Sequence, residues 1–379
     1  MGISRMMKFF RKQAPALQQA PHLGAHHATS ETATHRPGSA ETTSAKDVEH
    51  SDYSKRVAAE ISNFEDALAA GGVTHSIPKM FTWWASTYLR PRLVDVFGAA
   101  DIPDIFANEI LRLAKAQSKS KIRILSLGSG DCVFERSVHS RIDKAVDAHW
   151  VCTDLNPAVV KHAQNEFRAA GLDRNFDIQA VDLNTSFVDG MYDVIIANHS
   201  LHHFLNLEYI FAEAEKHLES AGRFLVSDMI GRNGHMRWPE ALMFVQSFWA
   251  FLPERFRFNN HARCYEGREF NNYDCTSNGD FEGVRAQDIL PLLVQRFKFE
   301  RFVGFGNLPD VFLDRAYGHN FDPDSEFDRN FIELLEELND KLIDSGFIKP
   351  TMMIATLTKD EVDPVYDRWS APFCVRTPT

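Results

Sequence analysis

The 379-residue chain is 44% hydrophobic and 25% charged, the balance of a soluble globular protein long enough to bury a sizeable core. Its net charge of -11 argues against a surface built to grip phosphates, so no nucleic-acid partner is expected. Five cysteines, odd in number and without a Cys-x-x-Cys pair, indicate neither a disulfide framework nor a structural zinc site. A cytoplasmic location is expected, and no metal ligands are assigned.

At the start, Arg5, Lys8, Arg11 and Lys12 surround Phe9 and Phe10. Residues 1–13 have the composition to touch an anionic membrane, although a solvated tail is the commoner outcome. From about Ala14 to His50 large apolar residues are sparse, and 1–50 reads as a disordered tail, with His22, His26, His27 and His35 incidental in a polar tract. Residues 51–118 have a helical pattern, with Phe81, Trp84 and Tyr88 at i, i+3 and i+7, and read as a helical cap.

The period then changes. Ile122–Leu127, Trp150–Thr153, Phe176–Val181, Tyr192–Ala197, Arg223–Ser227, Phe297–Val303 and Met352–Leu357 are short apolar or β-branched runs suited to buried strands, and helical segments are expected between the first five. The best-marked helix begins at Pro157, capped by Asn156, and exits at Gly171. Such alternation predicts an α/β fold with a doubly wound, mostly parallel sheet. The core domain spans 119–358, with helical inserts at about 231–296 and 304–350 that are expected to hold an acceptor site. Residues 359–379 read as a C-terminal tail.

Leu127-Gly128-Ser129-Gly130-Asp131 follows the first strand and opens a helix, so its glycines allow a sharp turn close to a ligand. Asp154 ends the second strand, where an acid accepts from ribose hydroxyls, and Asp182 follows the third beside apolar Leu183. Asn198 and His199 end the fourth, in the run Asn198-His199-Ser200-Leu201-His202-His203-Phe204. These features suit a nicotinamide enzyme or a methyltransferase. The third glycine of the dinucleotide fingerprint falls at Val133, whose branched side chain disfavours a pyrophosphate there.

The run 122–230 resembles the core of the class I, Rossmann-like methyltransferases. The resemblance implies S-adenosylmethionine as cofactor and a seven-stranded sheet with an antiparallel last strand. It also implies cofactor contacts from Gly128, Ser129, Gly130, Asp154, Leu155, Asp182, Leu183, Asn198 and His199. Cys132 stands where that class often has a further glycine. The span of about 73–358 also resembles an uncharacterised bacterial methyltransferase family, through 77–91, 227–235, 284–291 and 317–322.

Methyl transfer to a neutral nucleophile depends chiefly on in-line positioning and exclusion of water. An oxygen acceptor benefits from a base, and His203 or His235 is the candidate, with Asp228 as orienting acid. Trp84, Tyr88, Arg237 and His319 are candidates for the substrate site or its lid, and Arg90, Arg92, Arg285, Asp288, Asp314 and Arg315 are further polar groups to place. The expected function is methyl transfer to a small-molecule acceptor, oxygen favoured. A nicotinamide-dependent oxidoreductase and a non-catalytic cofactor-binding module are the alternatives. The oligomeric state stays open.

Overall fold

The computed structural model describes residues 52–62 and 76–377, so the expectations for 1–50 lie outside the described residues. Helix α1 occupies 52–62. Next come α2 (Lys79–Trp84), a single π-helical turn (Ala85–Leu89), α3 (Arg90–Phe97) and α4 (Ile102–Ala116). The core then alternates as expected: β1 (Lys121–Leu127), α5 (Val133–Ile142), β2 (Asp147–Asp154), α6 (Pro157–Ala169), β3 (Phe176–Ala180), β4 (Tyr192–Asn198), α7 (Leu207–His217) and β5 (Leu218–Met229). One expectation fails here. The link from β3 to β4, residues 181–191, holds turns and no helix, because it is short and interrupted by Asp182, Asn184 and Gly190.

The remaining elements are α8 (Pro239–Phe251), a two-residue hairpin of β6 (Phe258–Asn259) and β7 (Cys264–Tyr265), and α9 (Ala286–Arg296). After them come β8 (Lys298–Phe305), α10 (Asp310–Leu313), α11 (Glu326–Asp344), β9 (Met352–Thr358), β10 (Val365–Tyr366) and α12 (Ala371–Cys374). Both long inserts therefore carry helices.

The main sheet has the order β10-β8-β9-β5-β4-β1-β2-β3. β1 to β5 pair in parallel, and β9 runs antiparallel between β5 and β8. The expected seven strands are all present. An eighth, β10, extends the edge beside β8 from within 359–379, where the sequence reads as tail. Its two residues are too few to leave a periodic signal.

β4 is buried throughout and β1 is buried from 124 to 127, which explains the apolar runs within them. Helix α6 begins and ends as its sequence dictates. The Asn156 side chain accepts from the backbone N–H groups of Ala158 and Val159, and Gly171 takes φ +69° at the exit. Strand order reverses between β1 and β4, which places a ligand crevice at the carboxyl ends of those two strands.

Candidate active site at the carboxyl edge of the sheet

The turn after β1 is one side of that crevice. Gly128 has φ +66°, and a Cβ there would lie 2.8 Å from Cβ of Ser200, so the turn after β4 packs directly on it. Gly130 has φ +55° and donates its N–H to Asp154 Oδ2 at 2.7 Å, while Ser129 N–H reaches the Thr153 carbonyl. Cys132 also sits in the left-handed region, at φ 57°, a conformation that glycine reaches with least strain. The backbone shape is kept and a buried thiol is accommodated.

Asp154 holds the tips of two elements together, since its other oxygen accepts from Asn156 N–H at 2.9 Å. Asp182 accepts from Asn184 N–H and from the Tyr53 hydroxyl at 2.6 Å. Tyr53 belongs to α1, which is tied to this edge at further points. Asn156 Nδ2 donates to the Ile61 carbonyl, Arg56 donates to the Asp280 carbonyl, and Glu60 accepts from Phe281 N–H. Helix α1 therefore lies over the crevice. No local sequence pattern announced this, because each tie joins residues far apart in the chain.

At the end of β4, Asn198 is buried and neither its amide oxygen nor its amide nitrogen has a partner. Nδ1 of His199 is likewise buried and unpartnered, and His199 itself takes φ 51°. A buried polar group left unpaired costs roughly 1–3 kcal/mol. Orphaned groups beside a glycine turn and strand-end acids are the polar surface that a nucleoside-bearing amino acid such as S-adenosylmethionine would satisfy. Leu183 is buried next to Asp182, and Leu155 is half-buried next to Asp154.

Beyond Asn198 the structure gathers histidines and carboxylates. Nδ1 of His202 lies 2.5 Å from Asp228 Oδ1, and Asp228 Oδ2 accepts from the N–H groups of Ser200 and Leu201. Nε2 of His235 lies 2.6 Å from Glu282 Oε1. His203 stands between Glu60, 3.2 Å from its Nδ1, and Glu282, 3.6 Å from its Nε2. Thus His203 and His235 do come together, but Asp228 orients His202 rather than either of them. The reason is reach: the turn Leu201–His203 puts His202 onto β5 and turns His203 toward α1.

Electrostatics separate these rings. Burial lowers His199 to about 4, and burial also outweighs Glu282 to lower His235. For His203 burial would act the same way, but Glu60 and Glu282 overcome it and raise the ring to about 10. Glu282 is lowered in return, because His203 and His235 outweigh its own burial. Groups this close titrate as a set.

The other candidates have partners of their own. Trp84 is buried with its indole N–H on Glu336 Oε2 at 2.8 Å, and Tyr88 faces Glu333, Glu336 and Glu337, so both engage α11. Arg90 pairs with Asp101, Arg92 with Asp367, and Arg285 with Glu208 and Asp288. Arg237 bonds Asp310 at 3.3 Å, after β8 at the same sheet edge. Burial pushes Asp314 up to about 7, and His319 is lowered by burial and by Arg315. Glu60 and Glu282 were not singled out from the sequence, and His202 stood there only as one of several histidines behind His203 and His235. Glu282 sits beside the recognisable string at 284–291 and, between Asp280 and Gly283, was within sight of it.

Residues 125–224, which carry this turn, both strand-end acids and the Asn198–Phe204 run, match the family model for a methyltransferase domain. The chain carries a class I methyltransferase domain. Its cofactor is S-adenosylmethionine, and it is an enzyme. No curated protein matches the chain in sequence.

Solved structures similar to it include one described as a sarcosine dimethylglycine methyltransferase from Galdieria sulphuraria, at 15% identity, covering 66% of this chain and 84% of that one, TM-score 0.38. Another is geranyl diphosphate C-methyltransferase from Streptomyces coelicolor A3(2), with Mg2+, geranyl diphosphate and S-adenosyl-L-homocysteine, at 12% identity, 68% and 83% coverage, TM-score 0.37. A third is the O-methyltransferase of a trans-AT PKS multienzyme of Brevibacillus brevis, with S-adenosyl-L-homocysteine, at 12% identity, 68% and 74% coverage, TM-score 0.36. Among the described residues, no helix of the methyltransferase is long and apolar enough to cross a membrane.

Proposed function

We propose that this methyltransferase acts on a small-molecule acceptor and that the nucleophile is a hydroxyl oxygen. The observation behind the reading is the set of buried His202, Glu60 and Glu282 and half-buried His203 and His235 next to Asn198. An amine acceptor that arrives neutral has no proton to shed before attack, whereas a hydroxyl gains from a nearby base.

S-adenosylmethionine supplies a methyl group on a sulfonium. The chain's own tasks follow from the residues. The Gly128–Gly130 turn, Asp154, Asp182 and Asn198 hold the donor, α1 with Tyr53 excludes water, and the histidine–carboxylate set takes up the acceptor's proton. Because those groups are coupled, the proton belongs to the set rather than to one ring.

The reading is tested by incubating the protein with methyl-labelled donor and fractionated metabolites, then identifying the labelled bond by mass spectrometry. Label in a methyl ether or ester supports it. Label on nitrogen or carbon alone contradicts the oxygen assignment, and label in no small molecule, despite donor binding, favours the non-catalytic module.

A further inference from the structure

We infer that Nε2 of His202, Nε2 of His235 and Oε1 of Glu282 bind a divalent transition-metal ion. The three residues each offer one ligand atom, and those atoms all lie within 4.8 Å of one another. Glu282 Oε1 is 2.6 Å from His235 Nε2 and 3.7 Å from His202 Nε2. Ligands at about 2.1 Å around a tetrahedral ion stand roughly 3.4 Å apart, so the second distance already suits an ion and the first has to widen by roughly 0.8 Å to admit one.

The hydrogen bonding around these atoms points the same way. Asp228 fixes His202 from behind, on Nδ1, which is how metal-bound imidazoles are held. With Nδ1 engaged by Asp228, His202 turns its Nε2 toward a Glu282 carboxylate oxygen 3.7 Å away. Glu282 Oε2 is also buried without a hydrogen bond.

Charge adds a second argument. Glu60, Asp228 and Glu282 are all buried, and among the described residues their only cationic partners are histidines, with no Lys or Arg. Buried carboxylates normally find a full positive charge or a metal.

The backbone pays strain to aim His235. It sits at φ 55° directly after Gly234 at φ 65°, and a Cβ on Gly283 would come within 3.0 Å of its ring. A Cβ on Gly234 would lie 2.0 Å from Asp274 Oδ1, so this turn fits only as glycine.

Two imidazoles and one carboxylate suit zinc, cobalt, nickel, iron or manganese rather than magnesium or calcium, which prefer oxygen throughout. Three protein ligands leave a coordination position open for a substrate oxygen. The site stands by itself, but its use rests on the oxygen-methylation reading. The acceptor's O–H gives its proton to the coupled His203–Glu60 pair, its oxygen forms the bond to methyl, and the C–S pair stays on sulfur to leave the neutral thioether.

The test uses the full-length protein with His22, His26, His27 and His35 replaced by alanine, so that these four histidines contribute nothing. Metal-free protein is titrated with Co2+ and with Zn2+, following the visible Co2+ bands and calorimetric stoichiometry. One ion per chain is expected, with Glu282→Gln and His235→Ala each weakening it at least about tenfold. No binding, or equal binding in both variants, overturns the inference. If a variant melts below the assay temperature, elemental analysis of the protein with only the four tail substitutions decides, and a metal content near zero after loading and desalting overturns the site. Titration with S-adenosylhomocysteine separates the two readings: its binding without metal leaves the methyltransferase reading and removes this site, and metal binding without it does the reverse.

Discussion

Nδ1 of His202 meets Oδ1 of Asp228 at 2.5 Å across 26 residues of chain, and the same carboxylate accepts two backbone N–H groups from the turn that carries the histidine. Asp228 thus fixes both the ring and the turn after β4. Asp228→Ala strands three buried partners at once, and a loss of about 3–5 kcal/mol is expected. Urea unfolding measures this. Asp228→Asn, which keeps an acceptor oxygen, is expected to lose about half as much, and unchanged stability in the alanine variant would remove Asp228 from this role.

Gly128 is the second point of pressure. Alanine there meets Ser200 at 2.8 Å in a left-handed backbone, so Gly128→Ala is expected to destabilise the fold by at least about 1 kcal/mol and to weaken S-adenosylhomocysteine binding more than tenfold. Thermal melts and calorimetry give both numbers. Wild-type affinity in a folded variant contradicts the packing of the two turns.

Glu336 makes a pH prediction away from the active site. Burial, with Asp340 and Asp310 adding to it and Arg92 opposing, pushes its carboxyl up from 4.5 to about 7. The folded chain therefore keeps a proton that the unfolded chain gives up. Stability from this group is full below about pH 4.5 and is lost as pH rises through about 7. Glu336→Gln retains an oxygen for the Trp84 indole and carries no charge. Its stability relative to wild type is expected to rise by on the order of 3 kcal/mol between pH 4.5 and pH 8. A pH-independent difference would refute it.

Much of this was legible in the residues, for physical reasons. Buried parallel strands must be apolar on both faces, so β1, β2, β4 and β5 announced themselves. Asn156, Pro157 and Gly171 marked one helix because capping and left-handed exit are local chemistry. The strand-end acids were readable because topology places them on one edge.

What failed to show was whatever depends on distant pairing. Trp84 and Tyr88 were candidates for the substrate site or its lid, yet their partners sit some 250 residues away on α11, with Trp84 and Glu336 separated by 252. Asp228 was expected to serve His203 or His235, and only the turn geometry assigns it to His202. Glu60 and Glu282 carry no motif of their own and matter because α1 and the 280–283 loop fold over the same edge.

The most direct test of the central claim is calorimetric titration of S-adenosylhomocysteine and, separately, NAD into the wild-type protein and Asp154→Ala. The account predicts one site for S-adenosylhomocysteine in the wild type, at least tenfold weaker binding in a still-folded Asp154→Ala, and no heat from NAD. Binding of NAD with none of S-adenosylhomocysteine, or equal S-adenosylhomocysteine affinity in both proteins, would contradict it.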